Sequence, residues 1–213
     1  MNKLVESGTD IIEIGMPFSD PMADGPTIQL SSIRAIKKNI DLKKIMSLCK
    51  EFRKKNKYIP IILMGYYNPI QHYGDQKFIK ECSRVGIDGL IIVDLQPEYD
   101  QKLYKLSSKN NIDFIRLITP TTDKNRLKVI LSKSSSFLYF VSITGITGQK
   151  SAKLKNLKKS INFLKTHTNL PFVMGFGIKN AKQAREMSRF SNGVVVGSSI
   201  IKIIEESINN KIS

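Results

Sequence analysis

Ile11-Ile12-Glu13-Ile14-Gly15-Met16-Pro17-Phe18-Ser19-Asp20-Pro21-Met22-Ala23-Asp24-Gly25-Pro26-Thr27 opens as a strand and continues as a loop. Ile11, Ile12 and Ile14 argue for a strand covered on both faces, the mark of parallel pairing. Glu13 stands among them. An ionised carboxylate in that company loses hydration worth several kcal/mol unless it is paired, reaches water, or holds a proton. The loop that follows carries Asp20 and Asp24, so acids from a strand and from its loop can converge. Chemistry is commonly carried by loops on a rigid scaffold.

Working outward, Met1 to Ser7 reads as the end of a helix stopped by Gly8. Downstream, helical periodicity runs over Pro26 to Asn39 and Leu42 to Lys55, the second capped by Asp41. Ile59 to Gly65 is a buried strand, followed by a Tyr-Asn-Pro loop, a helix over Phe78 to Val85 and a strand over Gly89 to Val93 that ends on Asp94. The alternation continues with a helix over Tyr99 to Lys109, a strand over Asp113 to Leu117, and a helix to Ser132 capped by Asp123. Strands over Phe137 to Ser142, Pro171 to Gly175 and Gly193 to Gly197 alternate with helices over Leu154 to His167, Ala181 to Phe190 and Ser198 to Ile208. Seven apolar strands, each tied to an amphipathic helix, give an α/β chain with a parallel sheet. An open doubly wound sheet and a (β/α)₈ barrel both fit this pattern.

At 213 residues with no linker-like stretch, the chain reads as a single domain over 1–213. Its apolar content of 41% and charged content of 24% are those of a globular chain without a membrane-spanning run. Residues Met1 to Gly8 lack the apolar core of a signal peptide, which points to the cytoplasm. Cys49 and Cys82 fall in helical patterns and read as buried free thiols, and His72 and His167 are too isolated for a metal centre. The net charge of +16 raises nucleic-acid binding, yet the lysines are spread over helix surfaces with no recognition motif. They read as solvated faces that help attract an anionic substrate.

A second cluster is rich in glycine. Gly175-Phe176-Gly177 ends one strand, Gly197-Ser198-Ser199 ends the last and opens a helix, and Thr147-Gly148 follows the strand near Tyr139. Glycine permits close backbone approach, and a helix N-terminus offers free N–H groups, so the combination suits a phosphate. Glycine after a strand is also ordinary turn punctuation.

The segment Glu13 to Thr27 closely resembles the signature of the tryptophan synthase alpha subunit family. The likeness continues through Leu63-Met64-Gly65-Tyr66-Tyr67-Asn68-Pro69, Val93-Asp94, Gly145-Ile146-Thr147-Gly148, Gly175-Phe176-Gly177-Ile178 and Gly197-Ser198. It implies a (β/α)₈ TIM barrel lacking its first strand, and so an N-terminally incomplete domain with the active site at the carboxyl ends of its strands. The implied reaction is aldol-type cleavage of indole-3-glycerol phosphate to indole and glyceraldehyde 3-phosphate in tryptophan biosynthesis.

By residue matching, the resemblance makes Glu13 the principal catalytic carboxylate and Asp24 the residue that holds the indole N–H. Leu63, Tyr66, Tyr139 and Phe176 line the indole pocket, and Gly148, Gly177, Gly197 and Ser198 hold the phosphate. Thr147 through Ala152 resembles a lid, with Thr147 contacting the catalytic aspartate on closure. Pro17, Asp20 and Asn68 resemble the surface that docks the beta subunit in an alpha2beta2 heterotetramer. Pyridoxal phosphate belongs to that partner, and no metal or cofactor is implied for this chain. The residues alone leave other readings open. Glu13 could pair with a lysine, Asp24 could cap the helix near Pro26, and the aromatics could be core. For the chain, the alternatives are an impaired remnant that still binds phosphate or the beta subunit, and another phosphate-binding biosynthetic barrel.

Overall fold

The fold is that of a computed structural model, which describes residues 1–141, 150–175 and 177–210. The chain forms two compact units, Met1–Ile115 and Arg116–Ser213. The first contains, in order, α1 (Asn2–Glu6), β1 (Ile12–Gly15), α2 (Pro26–Lys37), α3 (Leu42–Lys55), β2 (Ile61–Gly65), α4 (Tyr67–Tyr73), α5 (Asp75–Val85), β3 (Gly89–Ile92), α6 (Gln101–Lys109) and β4 (Asp113–Phe114). Its strands form one parallel sheet in the order β1-β2-β3-β4.

Register decides what each face of this sheet does. Ile12 pairs with Ile61, Glu13 with Ile62 and Ile14 with Leu63, while Leu63 pairs with Leu90 and Leu90 with Phe114. Successive side chains point to opposite faces, so Ile12, Ile61, Leu63, Leu90, Ile92 and Phe114 share one. They form a single core cluster with Met46, Cys49 and Phe52 of α3, Phe78, Ile79 and Cys82 of α5, and Leu103 of α6. Glu13, Ile62, Met64, Gly89 and Ile91 lie on the other face.

The helices follow from local chemistry. The Asp41 carboxylate accepts the Lys44 N–H at 2.9 Å, starting α3, whose residues Leu42, Ile45, Met46, Cys49 and Phe52 make one buried stripe. Helix α5 stops at Gly86, which is left-handed at φ 80°. Cys49 and Cys82 are free and fully buried.

The second unit contains β5 (Arg116–Ile118), α7 (Lys124–Leu131), β6 (Leu138–Val141), α8 (Lys150–His167), β7 (Phe172–Gly175), α9 (Ala181–Ser188), β8 (Gly193–Val195) and α10 (Ser198–Asn209). Its parallel sheet has the order β5-β6-β7-β8. Ile118, Leu138, Phe140, Phe172 and Met174 share a face and pack with Leu127 and Ile130 of α7 and Leu157, Ile161 and Leu164 of α8. Tyr139 and Val173 pair on the opposite face. Asp123 and Asn180 cap α7 and α9, accepting N–H bonds at 2.8 and 3.0 Å.

Three expectations are corrected. The Tyr-Asn-Pro stretch is helix α4, in which Pro69 occupies the third position. A proline there removes an N–H that has no helical partner in any case. The strand read as Asp113 to Leu117 is divided into β4 and β5, one in each sheet, with Ile115 between them. Helix α8 begins at Lys150, so Lys150, Ser151 and Ala152 belong to its first turn and not to a loop.

Candidate active site

In the first unit Glu13 of β1 and Asp24 of the loop after it lie near the phenol of Tyr66, which follows β2. Because Ile12 and Ile14 turn toward the helices, Glu13 must turn away from them. Its surroundings are mixed: water reaches the side chain, yet protein atoms crowd the carboxyl on most sides. That crowding, and second the charge of Asp24, lift the Glu13 pKa to about 7. Glu13 therefore exchanges its proton near neutrality, as a group that both gives and takes protons must.

Asp24 sits at the end of a loop pinned at several points. The Asp24 N–H bonds the Pro21 carbonyl at 3.1 Å, and the Gln29 amide of α2 donates to the Asp24 carbonyl at 2.9 Å. Ser32 of α2 accepts the Phe18 N–H at 3.0 Å and donates to the Phe18 carbonyl at 3.2 Å. Partial burial raises the Asp24 pKa, and a hydrogen bond from the Tyr66 phenol draws it back down.

Tyr66 is the hinge of the cluster. It is buried just after β2, its ring lies 5.5 Å from that of Phe18, and its oxygen accepts the Ala23 N–H at 3.0 Å. Burial is the main reason its pKa rises to about 12, so the phenol stays a neutral donor to Asp24. An acid near neutrality beside a second carboxylate held by a phenol can deliver a proton to one atom of a substrate while stabilising positive charge on another.

The second unit holds the glycine cluster. Tyr139 lies across Gly175: a Cβ there would meet the phenol oxygen at 2.2 Å and ring carbons at 2.5 and 2.6 Å. Gly177 is exposed and left-handed at φ 76°. The Ser199 hydroxyl donates to the Ile178 carbonyl at 2.7 Å, tying the turn after β7 to the start of α10. Gly197 caps that helix without a side chain, and Gly197 and Ser198 are exposed. The first N–H groups of a helix have no partner within it and suit an anion.

The tryptophan synthase alpha chain family model matches residues 1–213, all of the chain. The chain belongs to that family. Among solved structures it is similar to the tryptophan synthase alpha subunit of Legionella pneumophila, at 38% identity and a TM-score of 0.92 over 100% of this chain and 79% of that one. It is also similar to a chain of the tryptophan synthase complex of Pyrococcus furiosus, at 33% identity and a TM-score of 0.86 over 96% and 82%. A further structure of the a2b2 complex from Pyrococcus furiosus matches at 35% identity, with a TM-score of 0.85 over 97% and 84%. These likenesses place the chain in the α/β barrel class of its family and among the lyases of tryptophan synthesis.

Measured against the family's residues, the structure brings Glu13, Asp24 and Tyr66 into one cluster. Leu63 is corrected: it is fully buried on the helix-covered face, because it pairs with Ile14 and Leu90 while Glu13 pairs with Ile62. Ile62 and Met64 are the residues of β2 that share the Glu13 face. Pro17 is half-buried, Asp20 is exposed and takes the Ser19 hydroxyl, and Asn68 is exposed on α4. Thr147, Gly148 and Phe176 lie outside the described residues. Sequence reasoning missed Phe18 and Ser32, which anchor the acidic loop, and Asp94, which caps α4. Only the position of Asp94 at a strand end signalled it. Among the described residues no group of three metal-binding side chains is found, and no helix is long and apolar enough to cross a membrane.

Proposed function

We propose that this chain cleaves indole-3-glycerol phosphate to indole and glyceraldehyde 3-phosphate. The observation that carries the reading is the Glu13–Asp24 pair, with Glu13 poised at about 7 beside a carboxylate held by Tyr66. Neutral Glu13 protonates indole C3. The carbon–carbon bond to the glycerol chain then breaks, its electron pair flowing into the protonated ring while the neighbouring hydroxyl becomes the aldehyde and returns its proton to Glu13. The protons balance. Asp24 accepts the indole N–H and stabilises the positive charge that develops on the ring. The phosphate is assigned to Gly177, Gly197 and Ser198 together with Gly148, and the indole pocket to Tyr66, Tyr139 and Phe176.

The partner is the beta subunit, docked at Pro17, Asp20 and Asn68 in an alpha2beta2 heterotetramer, where it consumes the indole with its own pyridoxal phosphate. The relatives solved as complexes support this reading. The setting is the cytoplasm. The test is indole release from indole-3-glycerol phosphate by the purified chain, with and without a beta subunit. Glu13→Gln should abolish release and leave phosphate binding intact. Unchanged turnover in that variant refutes the assignment, and binding without turnover in the unsubstituted chain favours a remnant that only binds.

A further inference from the structure

Asp24 is held by a phenol, and the phenol is held by a helix start. Tyr66 is extended at φ −117° and ψ 157° immediately before α4, and no side chain of its own caps that helix. The first helical N–H, that of Tyr67, is instead accepted at 2.8 Å by the carboxylate of Asp94. Asp94 comes from a neighbouring strand: it follows Val93, whose N–H bonds the Gly65 carbonyl at 2.9 Å, so the ends of β2 and β3 run side by side. The other end of Tyr67 is fixed as well. Its hydroxyl donates to buried Asp75 at 3.1 and 3.2 Å, and Lys102 of α6 reaches the same carboxylate at 3.1 Å.

The consequence for Tyr66 is geometric. With Tyr67 anchored at backbone and ring, the Cα–Cβ bond of the preceding residue has a fixed direction. From there the phenol oxygen reaches the Ala23 N–H, next to Asp24 in the chain. We propose that Asp94 is a positioning residue for Tyr66, and through the Ala23 N–H that its phenol oxygen accepts, for the Asp24 end of the acidic loop, acting by capping the first turn of α4. The Asp94 charge also lies close enough to the phenol to oppose its ionisation. The activity arm of this inference rests on the lyase reading of Glu13 and Asp24; the structural arm does not.

The experiment compares the full chain with Asp94→Asn, Asp94→Ala and Asp94→Glu. Asparagine keeps an acceptor oxygen for the Tyr67 N–H, alanine removes it, and glutamate keeps the charge but displaces the oxygens by one methylene. Misplacing a group in an active site by a fraction of an ångström costs on the order of tenfold or more in rate. Asp94→Ala is therefore expected to lower kcat about tenfold at nearly constant KM, and Asp94→Asn to recover most of that loss. Asp94→Glu should resemble alanine, and carries the test if the alanine variant does not fold. The second readout is the Tyr66 ring-carbon resonance in tyrosine-labelled protein, assigned with Tyr66→Phe. It should move in the alanine and glutamate variants and hold in asparagine. A wild-type kcat in Asp94→Ala, or an asparagine variant as impaired as alanine, overturns the proposal. If the unsubstituted chain releases no indole, the lyase reading fails, and an unmoved Tyr66 resonance in Asp94→Ala separately refutes the positioning role.

Discussion

Replacing Glu13 by glutamine should make the protein more stable at alkaline pH while removing its activity. Glu13 ionises at about 4.5 in an unfolded chain and at about 7 in the folded one. Below pH 4.5 it is neutral in both states and carries no penalty. Between those values the unfolded chain loses its proton first, so stability falls as pH rises, and above 7 the whole penalty stands. Without screening, a shift of that size corresponds to about 3 kcal/mol. Water reaches the side chain, which reduces the figure to roughly 1 kcal/mol. For a chain of this length that is a gain of roughly 2–4 °C in Tm for Glu13→Gln at pH 8, shrinking as the pH is lowered toward 5. Thermal unfolding of both proteins, followed by circular dichroism across that range, measures it. A stability difference that does not vary with pH, or a glutamine variant less stable at pH 8, refutes the account of Glu13 as a carboxyl held against its own ionisation.

Three further outcomes follow from the geometry. In wild type, kcat/KM for indole release should fall about tenfold per pH unit above about 7, because only neutral Glu13 can donate its proton; a flat profile to pH 9 would exclude it as the acid. Gly175→Ala should cost about 2 kcal/mol, since the new methyl overlaps the Tyr139 ring, and most of that penalty should vanish in a Tyr139→Leu background, as read by denaturant titration. Cys49 and Cys82 should resist a disulfide exchange reagent in the native state and both react on unfolding, burial having pushed Cys49 up to about 11 and Cys82 higher still. Rapid labelling of either thiol under native conditions would contradict that placement.

The order of strands and helices was legible because each element carried its own punctuation. Asp41 and Asp123 announced caps that the structure confirms, and Gly8 and Gly86 end helices in left-handed conformations. Helix α4 was hidden because Asn-Pro reads as a turn, and its cap comes from Asp94, distant in sequence. The division at Ile115 was hidden for another reason. Five residues rich in apolar side chains look continuous whichever sheet each half joins. Glu13 and Asp24 stood out through chemistry that sits badly in its surroundings. The side on which Leu63 lies depends on strand register, which neighbouring residues do not encode, and the Tyr66–Asp24 bond depends on where two loops meet.

Strand β1 is only four residues long, and its acid is flanked by two isoleucines that point the opposite way. Exchanges among branched aliphatic residues at 12 and 14 leave the carboxylate where it is. Gaining or losing a single residue within the strand would turn Glu13 into the greasy layer beneath the helices and expose an isoleucine in its stead. Descendants of this chain are thus free to drift in spelling here but not in count, whereas the acidic loop downstream can change length only so far as Phe18 still finds Ser32 and Ala23 still finds Tyr66.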